Sequence, residues 1–112
     1  MATAEFAVAI PAILLMLVVA LSAVATVADQ VRCTDAARAT ARLVARGDTS
    51  AAAVGQGRQL APARAQISVL AGPATVEVTV TGQPAAALAW MGSRVVPRGR
   101  AVAALEEQAD RR

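Results

Sequence analysis

The amino-acid sequence predicts an α+β protein built on one long N-terminal helix, transmembrane in its first half and an amphipathic stalk in its second. A small antiparallel β-sheet of two or three strands is expected to pack on it. Three observations carry this prediction. Phe6 to Ala28 is an uncharged apolar run of about 23 residues, which as a helix reaches ~35 Å and crosses a ~30 Å hydrocarbon core. From Asp29 to Arg46 charged residues then recur every three or four positions, the period of a helix with one wet face. Farther on, Ala74 to Thr81 alternates apolar and polar residues at period two, the pattern of a half-buried strand.

The first element is the span itself. Glu5 stands at its edge, where an ionised carboxylate costs several kcal/mol if drawn into lipid, so it either marks the interface or pairs with a cation. The α-amino group of a neighbouring copy is the simplest such cation. Pro11 lies inside the span, removes one backbone donor and predicts a kink near Ala7. Such a break is tolerated in lipid when neighbouring groups satisfy the freed carbonyl. Ala20, Ser22, Ala23 and Ala25 are small enough to admit a close helix neighbour.

The helix is expected to continue past Ala28. Arg32, Asp35, Arg38, Arg42 and Arg46 share one face, and Cys33, Ala37, Thr40 and Val44 share the opposite one, flanked by Ala36 and Leu43. These four are the candidate stalk-packing residues. Gly47 suits the left-handed position just beyond a helix end, so the helix is predicted from about Thr3 to Arg46. Residues 1–47 thus form a transmembrane and stalk unit, and 48–112 a small exterior α+β domain.

In that domain, Asp48-Thr-Ser50 predicts the cap of a short helix reaching Leu60. Ala65, Ile67 and Val69 alternate with Arg64, Gln66 and Ser68, and Ala71-Gly72-Pro73 joins this segment to the Ala74–Thr81 strand as a hairpin. Its dry face is expected against the small-residue face of the stalk. A short helix is predicted from Pro84 to Gly92, with Trp90 as a core plug or, as the alternative, an anchor for a partner or an interface. Gly99 to Glu107 reads equally as helix or as a third strand. Asp110-Arg-Arg112 is expected to fray.

The inventory argues against catalysis. The chain has no histidine and one cysteine, Cys33, so neither a Ser-His-Asp nor a Cys-His site can be built and no internal disulfide can form. The acids show no metal-ligand spacing, the glycines form no phosphate-binding loop, and no cofactor is expected. All eleven basic residues are arginine and the net charge is +3. That charge suits a solvated face or an anionic envelope surface. With no aromatic residue interleaved among the arginines, nucleic acid is not an expected partner. The residues beyond the stalk, roughly 60 of them with a single Trp and no Tyr, make a thin core of marginal size.

Met1-Ala-Thr-Ala-Glu5-Phe6-Ala-Val-Ala-Ile-Pro11, the apolar run, Asp35-Ala-Ala-Arg38 and the Ala101-Val-Ala-Ala-Leu-Glu106 ending together resemble the TadE-like minor pilins of the tight-adherence, type IV-like pilus system. The resemblance is firmest over Met1 to Arg46. It implies a minor pilin or pseudopilin that assembles through Glu5, Phe6 and Pro11 into a pilus or its machinery. The implied partners are the membrane, other pilins, pilus-assembly proteins, and a prepilin peptidase if a leader precedes Met1, which would then be the mature N-terminus. It also implies a single pass through the inner (cytoplasmic) membrane, with the N-terminus cytoplasmic and the sheet outside, and, as a further location, the pilus or cell surface. The visible flanks point the other way, because Arg32, Arg38, Arg42 and Arg46 all follow the span. The alternatives are a secreted protein with residues 1–28 as signal peptide and a single-pass anchor or regulator of an envelope complex.

Overall fold

The computed structural model describes residues 2–105, so Met1 and the residues from Glu106 onward, including Asp110-Arg-Arg112, lie outside the described residues. Within them the chain is α+β. Helix α1 (Ala2–Ala45) is followed by α2 (Ser50–Leu60), β1 (Gln66–Ala71), β2 (Thr75–Thr81), a 3-10 segment (Ala86–Val95) and β3 (Arg98–Ala104). The whole measures 80 × 20 × 16 Å, with α1 setting the long dimension.

Helix α1 is continuous through Pro11 and past Ala28, joining span and stalk in one rod. Its end is chemically defined. Gly47, at φ 103°, donates to the Val44 carbonyl, and Asp48 donates to that of Leu43, which satisfies two of the carbonyls a helix end leaves bare. Three residues later α2 begins, with the Thr49 hydroxyl accepting from the Ala52 amide at 3.2 Å.

The sheet is antiparallel in the order β1-β2-β3. Its register sorts the inward residues into rows, Ile67–Val80–Gly99, Val69–Val78–Ala101 and Ala71–Val76–Ala103. In the first two rows side chains shrink from β1 to β3, so α1 lies close over β3 while α2 packs against Ile67 of β1. Gly99 is the point of closest approach: a Cβ there would overlap the backbone of Cys33 and Thr34. Gly57 of α2 serves the same purpose, since a Cβ there would strike the Thr40 hydroxyl and lie 3.5 Å from Ile67.

The core is therefore a layer of small helix residues against a valine row. Cys33, Ala36, Ala37, Thr40, Ala41, Val44 and Ala45 of α1 are buried together with Val76, Val78 and Val80 of β2. Each of those valines contributes about 1.5 kcal/mol or more by leaving water. The opposite sheet face is solvent-exposed and mixes polar residues with Leu70 and Val102, and on it Arg100 pairs with Glu77 at 2.9 Å.

One expectation that the sequence left open is decided by the structure, and one is corrected. The ambiguous segment from Gly99 is strand β3 in its described part, because pairing with β2 satisfies its backbone and puts Gly99, Ala101 and Ala103 under the helix. The Pro84–Gly92 helix is instead a 3-10 segment running on to Val95 across a break at Gly92 (φ 72°), and Trp90 is no core plug: it is 78% exposed. Leu88 fills that inward position.

Candidate functional site

Helix α1 divides into a bare half and a covered half. In the Ala2–Ala28 half the large apolar side chains, from Phe6 through Val27, stand bare, and the most apolar 18-residue window has a mean hydropathy of 2.8 with none of it buried. In the second half every third or fourth residue disappears under the sheet. One helix thus presents two surfaces of opposite character, the first apolar and uncovered and the second covered by the chain itself.

Of the residues singled out from sequence, Glu5 is exposed in the first turn of α1 with no ion pair among the described residues, Phe6 is exposed beside it, and Pro11 lies within the bare half. Met1 falls outside the described residues. Cys33, Ala37, Thr40 and Val44 are all buried on the sheet-facing side, far along the rod from Glu5, so the two groups form no common site. The Thr40 hydroxyl is buried with no hydrogen-bond partner among the described residues.

Cys33 sits where the helix meets the sheet. Its thiol donates a long 3.8 Å hydrogen bond to the Pro97 carbonyl, and a Cβ on Gly82 would come within 3.5 Å of its sulfur. Burial, reinforced by the charge of Asp29, pushes its pKa above the ordinary 9.0, against a smaller lowering from the Gly82 backbone. The thiol is thereby kept protonated and unreactive at neutral pH.

One surface feature escaped the sequence reading, and a second was its less favoured alternative. Between α1 and α2 a cleft of about 340 Å³ has Leu43 and Leu60 in its floor and Arg42, Arg46, Gln56 and Gln59 around it. Neither arginine has an ion-pair partner among the described residues. The second is the exposed Trp90–Met91 pair on the 3-10 segment. The arginines were legible as a helix face, but their cleft arises only when α2 folds back alongside α1.

These features define a class: a small α+β module carried on a helix that is long and apolar enough to cross a membrane. Over 77 residues the chain is 46% identical to a protein of Mycobacterium tuberculosis (strain ATCC 25618 / H37Rv) named apoptosis inhibitor Rv3655c. The aligned region is 69% of this chain and 61% of that protein, so the chain spans less than two thirds of the relative's length. No family model matches the chain, and no solved structure matches it.

These findings correct the pilin reading. The relative bears the name of an apoptosis inhibitor rather than of a TadE-like pilin, no family model supports that assignment, and nothing found points to pilus assembly. The residues behind the resemblance explain the error. One acid followed by a run of Ala, Val, Ile and Leu is a short pattern dominated by apolar residues common to many spans, so it carries little information about family.

Proposed function

We propose that this chain is a single-pass membrane protein whose α1 anchors a non-catalytic α+β module, and that the module acts by binding a partner on the extracytoplasmic side. The observation that carries the reading is the division of α1 into a bare apolar half and a half roofed by the sheet. The lack of histidine and the buried, protonated Cys33 support a binding role over a chemical one. The cleft flanked by Arg42 and Arg46 suits a partner with an acidic group beside an apolar one.

Restraint of apoptosis, the role in the name of the mycobacterial relative, is the biological setting that 46% identity favours. A bacterial protein with that role must meet a cell other than its own, which favours an outward-facing module and a cytoplasmic N-terminus. The arginines that follow the span weigh in the opposite direction. A C-terminal fusion to a phosphatase active only outside the cytoplasm, assayed on carbonate-washed membranes, decides between them. Activity in the membrane pellet is the expected result. A silent fusion in the pellet refutes the orientation, and recovery in the supernatant refutes the anchor.

A further inference from the structure

The connection between β2 and β3 leaves the sheet at the end nearest the span. Thr81 pairs with Arg98, Gly82 donates to Pro97 at 2.9 Å, the Arg98 amide donates to Gln30 at 3.4 Å, and Gly99 abuts Cys33. This end of the module therefore lies within about two turns of Ala28, where the apolar run stops. The 3-10 segment packs on α1. Toward the N-terminus Asp29 is half-buried on the side of the helix that Cys33 occupies, while the Thr26 and Ser22 hydroxyls donate to the Ser22 and Val18 carbonyls of the helix itself.

From Thr26 to Cys33 the helix rises ~10 Å, comparable to the headgroup layer of one leaflet. The connection that starts and ends there displays Trp90, 78% exposed, and Met91, 41% exposed. The indole N–H already donates to the Ala87 carbonyl at 3.0 Å, so the ring can enter an apolar boundary without stranding a polar group. Exposed Arg32, Arg94 and Arg98 lie on the same end of the module, none with an ion-pair partner among the described residues.

We infer that the Ala86–Val95 connection is a membrane-interface foot, with Trp90 and Met91 seated among the lipids of the leaflet on the module's side and Arg94 and Arg98 on their phosphates. The inference rests on α1 crossing that membrane. Continuity with the span and charge complementarity to phosphate select lipid as the occupant. The foot ties the module down at a second point, so that it stands at a fixed tilt instead of swinging on the stalk.

Trp90 is the only tryptophan, so the native chain carries its own probe. The full chain is reconstituted in phosphatidylcholine–phosphatidylglycerol vesicles with lipids brominated near the headgroup or deep in the tails, and flotation is measured on the same samples. Flotation with blue-shifted emission, quenched more by shallow than by deep bromines, is the expected result. Arg94→Glu should float equally well and lose most of the shallow quenching. Flotation with water-like, unquenched emission overturns the foot and leaves the anchor standing. Blue-shifted emission that no bromine quenches means that protein covers Trp90, and also overturns it. Failure to float removes the anchor and the foot together.

Discussion

Gly99→Ala is the substitution that most sharply tests how the sheet is held to the helix. A Cβ at this position would overlap the Cys33 carbonyl group and the Thr34 amide nitrogen, which are helix backbone and cannot rotate away. Relief requires β3, and with it the Val76–Val78–Val80 row, to back off α1. Overpacking of this kind typically costs about 1–3 kcal/mol. A 0.5–1 Å gap forfeits roughly a quarter to a half of the contact energy, adding about 1–2 kcal/mol over three buried valines. The sum, about 3 kcal/mol, is a large share of what a module of roughly 60 residues holds in total. Cys33 provides the readout, being the only cysteine and fully buried beneath this contact. In micelles its reaction with a maleimide should accelerate roughly 100-fold in Gly99→Ala, at 1.4 kcal/mol per decade. Gly55→Ala is the control: nothing lies within 4 Å of the new methyl, so α2 should gain about 0.5–1 kcal/mol and labelling should not accelerate. Labelling of Gly99→Ala at the wild-type rate would refute the close-approach argument.

Other outcomes follow from the same packing. Thr40→Val replaces a buried hydroxyl that lacks a partner with a methyl of similar size, and should raise the unfolding midpoint, by about 1 kcal/mol in stability. Because the Cys33 pKa is raised in the folded state, the folded form holds its proton where the unfolded thiol has lost it. Stability should therefore be level below pH 9.0 and fall as pH rises beyond it, an effect that Cys33→Ala abolishes in unfolding titrations across that range. Removing the Arg100–Glu77 pair should change stability by less than about 1 kcal/mol in denaturant titrations, since both groups reach solvent.

Much of the architecture was legible because local and tertiary demands agree. Gly47 reads as a helix end because few other residues accept its φ, and Val76, Val78 and Val80 read as a strand face because nothing else explains their spacing. The segment from Gly99 was not legible, since Ala101, Ala103 and Ala104 favour helix on propensity and are strand only because β2 offers a partner. Trp90 misled for a related reason: in a thin core the largest side chain looks indispensable, yet the space under the sheet is already filled by alanine, valine and Leu88. The candidate site was the least legible part. Glu5 and Pro11 stand out in the sequence, but among the described residues no ion pair forms at Glu5, whereas the arginine cleft exists only through α2.

The central claim is that α1 meets lipid in its first half and protein in its second. Photocrosslinking the reconstituted full chain with lipids carrying a diazirine along the acyl chain, followed by peptide mapping, tests it most directly. Adducts on α1 confined to Phe6–Ala28 and absent from Cys33–Ala45 are the predicted result. Adducts spread along both halves, or none on the first, would contradict it.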